Sequence, residues 1–282
     1  LEGMGRDFFI FMKTSYTNYG IMSLYSNRCA LIRQEQERHR GRLERNRKGL
    51  WKEEKMSRKE DIQNAYQSVG SHTDFYDGMM TYENFAGKLL CRLVWNMDKE
   101  KNLYYREKVL SFIPKDFSGK LLEIPVGTGI MTLPLYKELP KAEIVCMDYA
   151  AEMMEPAKER AALAGIENIY FQQGDVGALP FPKESFDIVL SMHGFHVFPD
   201  KERAYQEVYR VLKAGGIFCG CFYVQGAVKR TDWLARHIYV PKGLFTPPFE
   251  TEESLRKRLM ESYKEVSVER VETVACFHCV KK

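Results

Sequence analysis

Short apolar runs alternate with helical patterns from residue 120 to residue 222, and this alternation most constrains the fold. Strands are predicted at 120–124, 143–147, 169–172, 186–191 and 216–222, and helices at 130–139, 151–164 and 201–212. Connections of this kind are right-handed crossovers, which make neighbouring strands parallel and place helices on both faces of the sheet. The sequence therefore predicts a doubly wound, mostly parallel α/β domain.

Two further regions flank this alternation. Before it, residues 56–114 have helical patterns at 57–68, 84–95 and 98–112, with a loop at 70–78. After it, a helix at 252–260 precedes apolar runs at 264–271 and 273–280. We expect a helical N-terminal cap, and a domain over 115–282 that ends in an antiparallel hairpin at the sheet edge. The apolar stripes of the two longer cap helices, which we expect to face the core, are Leu89, Leu90, Leu93, Val94 and Met97, and Leu103, Val109, Leu110 and Ile113.

Residues 1–55 differ from the rest of the chain in charge. They hold 12 Lys and Arg against 7 Asp and Glu, whereas the other 227 residues hold 30 and 31. An Arg-rich leader is typical of targeting peptides and of basic arms that bind nucleic acid. The codons for 52–55, just before Met56, contain only purines, as bacterial ribosome-binding sequences do, although a solvated charged helix has the same composition. We expect bacterial translation to start at Met56, with residues 1–55 a non-native or disordered upstream segment.

Composition narrows the class of protein further. Apolar residues make up 45% of the chain, which is enough to bury a core, and no apolar run approaches the roughly eighteen residues of a membrane span. The odd number of cysteines, seven, is typical of reduced thiols in a cytoplasmic protein. Because the chain beyond residue 55 has no excess of basic residues, we expect no nucleic-acid partner.

Residues suited to ligand binding follow the carboxyl ends of the predicted strands, where doubly wound sheets bind ligands. The first strand leads into Glu-Ile-Pro-Val-Gly-Thr-Gly at 123–129, directly before a helix. Glycine allows close approach of a ligand, and a helix N-terminus offers free N–H groups. Asp148 ends the second strand, where an acid typically accepts hydrogen bonds from ribose hydroxyls. An NAD(P) site needs a third glycine where Thr132 stands, so that alternative is disfavoured.

Five ordered blocks carry a resemblance to a known family: 123–129, Asp148, 174–176, 179–187 and 209–216. In order and spacing they resemble class I S-adenosylmethionine-dependent methyltransferases, which have a Rossmann-like fold, and within them the ubiquinone/menaquinone C-methyltransferase subgroup with its methyltransferase type 11 domain. The resemblance covers residues 115–222 and a compatible final hairpin.

The resemblance implies which residues bind the methionine end of S-adenosylmethionine. The loop with Pro125, Gly127 and Gly129 would pass under it, and Glu123 would help to place its amino group, directly or through water. Pro125 departs from the family, which usually has its first glycine there. Proline lacks an N–H, so one possible donor is missing.

The resemblance also implies contacts to the nucleoside end of the cofactor. Asp148 would bind the ribose hydroxyls, with Tyr149 and Met153 against the ribose and adenine. Asp175 would accept a hydrogen bond from the adenine amino group, and the N–H of Val176 would donate to a ring nitrogen.

Two histidines are the candidate catalytic residues. Methyl transfer is an in-line displacement for which an enzyme mainly aligns the nucleophile and excludes water, and a base is needed only if the acceptor must lose a proton. His193 and His196 follow the fourth strand, and the pKa of histidine suits a base at neutral pH. Alternatively, His193 packs near the cofactor and His196 begins the next helix, without catalytic work.

Aromatic residues of the cap and the insert at 229–249 are candidates for the surroundings of the methyl acceptor. The cap aromatics form either a lid over an apolar acceptor or a helix-packing core. They are Phe75, Tyr76, Tyr82, Phe85, Trp95, Tyr104 and Tyr105. The insert lies where this fold usually varies its acceptor pocket, and its aromatic character suits a small or lipidic organic molecule.

No metal site is expected. Cys276 and Cys279 form a single C-x-x-C pair, and in a strand they would face opposite sides. Cys219 and Cys221 lie in a buried strand and are expected to be core residues.

The sequence thus predicts a methyltransferase that acts on a small organic acceptor. An RNA or protein methyltransferase and a non-catalytic S-adenosylmethionine-binding protein are the alternatives.

Overall fold

A computed structural model of the chain describes residues 58–66, 73–83 and 85–282. Seven strands form one sheet in the order β3-β2-β1-β4-β5-β7-β6. They are β1 Lys120–Glu123, β2 Glu143–Asp148, β3 Ile169–Gln173, β4 Phe186–Met192, β5 Leu212–Tyr223, β6 Tyr263–Val271 and β7 Val274–Lys281. β1 to β5 are parallel, while β7 pairs antiparallel with β5 and with β6. The predicted sheet and its antiparallel edge hairpin are confirmed.

Nine described helices surround the sheet or precede it. They are α1 58–66, α2 Thr73–Thr81, α3 Phe85–Leu90, α4 Lys99–Leu110, α5 Leu133–Lys137, α6 Ala151–Ala164, α7 Lys201–Val211, α8 Lys229–Leu234 and α9 Glu252–Ser262. A π-helical turn, Cys91–Trp95, continues α3, and a second, Ala235–Tyr239, continues α8. The prediction for residues 1–55 lies outside the described part of the chain.

The sheet is covered on both faces, which explains the continuous apolar runs of its strands. Leu121 of β1 is in register with Ile144 and Ile188, and these three residues belong to one core cluster. The next residue, Leu122, points to the other face, where it joins a second cluster with Val189. A strand buried on both sides cannot alternate apolar and polar residues, so its sequence is apolar throughout.

The predicted element boundaries are confirmed in most places and wrong in three. Strand β5 begins at Leu212, four residues before the predicted start at 216. Helix α6 has the predicted bounds, and Gly165 caps it in the left-handed conformation at φ 69°. The predicted loop at 70–78 is wrong, because α2 begins at Thr73. The helix predicted at 130–139 begins only at Leu133, after turns that continue the preceding loop.

The predicted burial of the cap stripes is only partly right. Val94, Met97, Val109 and Ile113 are buried, whereas Leu89, Leu93 and Leu103 are exposed. Of the cap aromatics with described side chains, Tyr82, Trp95 and Tyr105 are buried and Phe85 and Tyr104 are exposed. The side chains of Phe75 and Tyr76 lie outside the described part.

The cysteines that the structure describes are all buried and unpaired, as expected for core residues. Cys219 and Cys221 of β5 have no exposed surface. In the described ranges, no helix is long and apolar enough to cross a membrane.

Candidate active site

A cavity opens at the carboxyl ends of β1, β2 and β4, with about 980 Å³ of space between atoms, part of it open to solvent. All nine predicted cofactor-binding residues line it. They are Glu123, Pro125, Gly127, Gly129, Asp148, Tyr149, Met153, Asp175 and Val176. The structure thus brings these residues together, while their contacts with a ligand stay a prediction.

The glycine loop turns sharply because two of its residues take up left-handed backbone conformations. Gly127 has φ 54° and Gly129 has φ 67°, a region that side-chain-bearing residues rarely enter. A Cβ on Gly129 would also lie 2.8 Å from the Leu133 side chain. Glycine is therefore required at this position for the loop to pass so close to α5.

Asp148, at the end of β2, holds this loop in place. Its Oδ2 accepts a hydrogen bond from the Gly127 N–H at 2.8 Å, and its Oδ1 accepts from the Ala150 N–H at 3.0 Å. Burial raises the pKa of Asp148 to about 6, against the opposing effect of these N–H donors. The carboxylate is therefore mostly ionised at neutral pH, and its remaining lone pairs can accept further hydrogen bonds.

Glu123 is a buried carboxyl whose two oxygens differ. Oε2 accepts from the Tyr136 hydroxyl at 2.8 Å and the Thr132 hydroxyl at 3.0 Å, and Cys146 Sγ lies 3.7 Å away. Among the described residues, no donor bonds to Oε1. Burial raises the pKa of Glu123 to about 8, although the hydroxyls of Tyr136 and Thr132 oppose the rise. This carboxyl is thus mostly neutral at pH 7 and has one oxygen available for a ligand.

Asp175 follows β3 and caps a 3₁₀ turn, Val176–Ala178, through a hydrogen bond from the Gly177 N–H to Oδ1. Its Oδ2 forms an ion pair with Lys59 of α1. Lys59, Ile62 and Tyr66 bring α1 into the cavity wall. None of the three is among the predicted site residues, because the sequence of a short polar helix does not indicate which part of the protein the helix covers.

A second cap residue, Asp77 of α2, is tied directly to the glycine loop. Its Oδ1 accepts from the Thr128 hydroxyl at 2.5 Å, and its Oδ2 pairs with Arg160 of α6. Arg160 also donates to the Thr128 carbonyl at 2.6 Å. Asp77 is buried, so this network fixes Thr128 between the two glycines. The sequence predicts a loop at 70–78, and Asp77 is not among the predicted site residues.

The structure places the two candidate catalytic histidines differently. His193 lines the cavity, whereas His196 is not among the lining residues and lies behind it, its ring 4.3 Å from that of Phe245. Burial lowers the pKa of His193 to about 4. Burial lowers the pKa of His196 well below its usual value, and the neighbouring His193 and Lys201 lower it further. Both rings are therefore neutral at physiological pH.

His193 has distinct surroundings at its two ring nitrogens. Nε2 lies 3.2 Å from the Tyr105 hydroxyl, and the ring is 5.5 Å from that of Trp95. Nδ1 is buried with no hydrogen-bond partner in the described part of the chain. A buried polar atom without a partner is costly unless a ligand or water satisfies it. No group of His, Cys, Asp or Glu in the described ranges is arranged to hold a metal ion.

Known proteins resemble this chain over the same region. Residues 121–216 match the protein family described as "Methyltransferase domain". A 2-methyl-6-phytyl-1,4-hydroquinone methyltransferase of Oryza sativa subsp. japonica is 31% identical over 152 residues, which are 54% of this chain and 43% of the relative. A demethylmenaquinone methyltransferase of Thermus thermophilus is 36% identical over 115 residues, 41% of this chain and 52% of the relative. The chain spans about half the length of these relatives.

A solved structure shares the fold. The crystal structure of an S-adenosylmethionine-dependent methyltransferase from Thermotoga maritima has a TM-score of 0.54 and 18% identity, covering 77% of this chain and all of that protein. Over residues 121–216 this chain thus matches a methyltransferase domain, and it shares the fold of that solved structure.

The lining of the cavity fits S-adenosylmethionine, the cofactor that the sequence resemblance implies. Three carboxyls, Glu123, Asp148 and Asp175, line it and are matched to a ligand with ammonium, hydroxyl and amino donors. The glycine loop offers the close backbone approach that a bulky ligand needs, since a side chain at Gly129 would collide with Leu133.

Proposed function

We propose that the chain transfers the methyl group of S-adenosylmethionine to a small, apolar organic acceptor. The proposal is supported most by one observation: the glycine loop, three carboxyls and His193 line the same cavity. When bound, the cofactor supplies an electrophilic methyl group. The protein's own residues hold the reactants in line and exclude water.

The methionine end of the cofactor is proposed to lie over the loop of Pro125, Gly127 and Gly129, with its amino group near Glu123. Support comes from Oε1 of Glu123, to which no described residue donates a hydrogen bond.

The nucleoside end is proposed to lie between Asp148 and Asp175, with Tyr149, Met153 and Val176 beside it. Asp148 is buried and mostly ionised, as an acceptor of ribose hydroxyls should be.

The acceptor is proposed to lie on the His193 side of the cavity, where Met192, Val197 and Phe198 also line it. Behind the lining, Trp95 and Tyr105 pack against the His193 ring. This largely apolar lining favours an apolar molecule over a charged one. The relatives named for hydroquinone and demethylmenaquinone substrates support an acceptor of this chemistry.

We propose that His193 orients the acceptor and accepts a hydrogen bond from it. Because burial holds the pKa of His193 at about 4, the neutral ring is a good acceptor and a weak base at pH 7. For His196 we infer a packing role next to Phe245, with no direct contact to the acceptor.

The buried free thiols support the prediction of a reducing, cytoplasmic compartment.

Transfer of a radiolabelled methyl group tests the proposal. The full chain is incubated with labelled S-adenosylmethionine and either 1,4-hydroquinones with side chains of several lengths, bulk RNA, or unrelated protein. Label in the hydroquinone products supports the proposal. Label in RNA or protein instead would establish the alternative class, and binding without transfer to any acceptor would favour a non-catalytic binding protein.

A variant of His193 separates its role from folding. His193 has φ 57°, a conformation that glycine adopts without strain, so His193→Gly retains the backbone and removes Nδ1 together with the ring. We expect weaker acceptor turnover with unchanged cofactor affinity. His278→Ala, on β7 away from the cavity, is the control. Unchanged turnover in His193→Gly would remove His193 from the mechanism.

A further inference from the structure

The cap exposes an apolar stripe that the core does not need. Phe85, Leu89 and Leu93 are spaced four residues apart along α3 and the π-helical turn after it, so they share one face. Their exposed fractions are 83%, 51% and 44%. Trp233 of α8, 55% exposed, lies on the neighbouring helix and stacks on His237 with the ring centroids 4.8 Å apart.

The two helices that carry this stripe are fixed to each other. Arg230 of α8 donates hydrogen bonds to the carbonyls of Arg92 and Leu93. The Thr231 hydroxyl donates to the carbonyl of Val94 at 2.7 Å. Because α8 is anchored on the turn that contains Leu93, Trp233 and the α3 stripe form one rigid surface.

The two helices that carry the stripe are basic, while Glu272, between β6 and β7, accepts a hydrogen bond from Asn96 next to them. The exposed side chains that flank the stripe are Lys88, Arg92, Lys229, Arg230 and Arg236. Residues 85–97 contain no Asp or Glu, and the single acid of 227–240, Asp232, is held by the Tyr223 hydroxyl and the Gly226 N–H. The chain beyond residue 55 holds 30 basic and 31 acidic residues in all, so this concentration of positive charge is local.

We propose that this surface, the basic apolar patch of Phe85, Leu89, Leu93 and Trp233 with its five flanking basic residues, docks on the surface of an anionic lipid bilayer. The aromatic and leucine side chains enter the boundary between headgroups and acyl chains, while the basic side chains contact the anionic headgroups. Charge selects the bilayer over other occupants, since a second copy of the chain would bring the same positive charge.

The patch adjoins the acceptor side of the cavity. The π-helical turn Cys91–Trp95 exposes Arg92 and Leu93 on its outer side, while its inner side buries Trp95. Trp95 in turn packs 5.5 Å from the His193 ring. Docking therefore places the lipid surface on the outer side of the turn whose buried Trp95 packs against His193. The proposal does not depend on which acceptor is methylated.

Vesicle flotation of the full chain tests docking. Vesicles of phosphatidylcholine alone are compared with vesicles that contain about one part in three phosphatidylglycerol, at low salt and at about 500 mM NaCl. We expect binding to the anionic vesicles that weakens with salt. Lack of binding to anionic vesicles at low salt would overturn the proposal.

Matched variants assign the binding to the patch rather than to the basic residues 1–55. Leu89→Gln/Leu93→Gln is expected to lower the partition coefficient roughly tenfold. The control is Leu163→Gln/Met260→Gln, which replaces two exposed apolar residues of α6 and α9, 90% and 55% exposed, and is expected to bind like the wild type. Trp233→Gln provides an independent variant on α8. Equal binding by all variants would overturn the proposal.

A second pair of variants tests the charge. Lys88→Glu/Arg92→Glu is expected to abolish the preference for anionic vesicles, while Lys137→Glu/Lys141→Glu retains it. Size-exclusion chromatography runs in parallel. A wild-type dimer that becomes a monomer in Leu89→Gln/Leu93→Gln, without vesicle binding by either, would assign the patch to contact between copies and overturn lipid docking.

Discussion

Binding of S-adenosylmethionine is expected to release a proton from Glu123. With the pKa of Glu123 raised by burial to about 8, roughly nine molecules in ten carry the neutral carboxyl at pH 7. The Tyr136 and Thr132 hydroxyls donate to Oε2, which leaves Oε1 for the proton. An ammonium group placed beside Oε1 favours the ionised carboxylate, so this proton must leave.

The size of the effect follows from the pKa. If binding lowers the pKa of Glu123 well below 6, about 0.9 proton leaves per site at pH 7, and the affinity rises by up to about ninefold from pH 6 to pH 7. Asp148, with a pKa of about 6, adds only about 0.1 proton at pH 7. The amino group of the ligand itself stays mostly charged at this pH, since free α-amino groups titrate near pH 8.

Calorimetry at pH 7 in buffers of different ionisation enthalpy measures the number of protons released. In Glu123→Gln, the amide oxygen still accepts from Tyr136 and Thr132, so the fold is retained. We expect the release to fall to the small contribution of Asp148, with weaker binding. Glu143→Gln, at the exposed start of β2, is the control and keeps the full release. Binding without proton release in the wild type, or undiminished release in Glu123→Gln, would refute the reasoning.

Three further predictions concern the glycine loop and the extent of the binding unit. Gly129→Ala is expected to lower cofactor affinity at least about tenfold, whereas Gly165→Ala, with a similar φ of 69° and no atom near its Cβ, should cost about 1–2 kcal/mol of stability and leave affinity unchanged. Asp77→Asn removes the charged partner of Arg160 and should lower stability by about 1–3 kcal/mol and weaken binding, as thermal melts and calorimetry can measure. A chain that starts at Met56 should bind the cofactor as tightly as all 282 residues, because every described residue of the cavity wall lies at 59 or beyond; weaker binding would contradict this.

The features that the sequence predicts correctly are those that depend on residues close together in the chain. The bounds of α6 follow from its helical pattern and from Gly165, which only has to cap the helix that precedes it. The strands are recognisable because burial on both faces demands continuous apolar runs. The glycine loop and Asp148 lie at strand ends, where the parallel topology itself brings them together.

Contacts distant in sequence gave no such signal. Asp77 forms hydrogen bonds with Thr128, 51 residues away, and with Arg160, 83 residues away. The local sequence around Asp77 indicates neither partner. The segment 70–78 has the composition of a loop, because α2 is stabilised by those tertiary contacts more than by the helix propensity of its residues. For Leu89 and Leu93 the sequence predicts burial, but both side chains are exposed. An apolar stripe on a helix predicts a buried face without specifying what buries it.

Helix α1 links the cap to the candidate cofactor site, so binding of the cofactor should change the local stability of the cap. Lys59 pairs with Asp175 in the cavity wall, and Arg58 donates to the carbonyl of Val240 at 3.0 Å, so α1 bridges the loop after β3 and the segment after the second π-helical turn. If α1 covers the bound cofactor, the cofactor must stabilise α1 in turn, by thermodynamic reciprocity. Amide hydrogen exchange at 58–66 should therefore slow when S-adenosylmethionine is added, while exchange in α9 stays unchanged. Equal exchange at 58–66 with and without the cofactor, under conditions where calorimetry shows saturation, would mean that α1 takes no part in holding it.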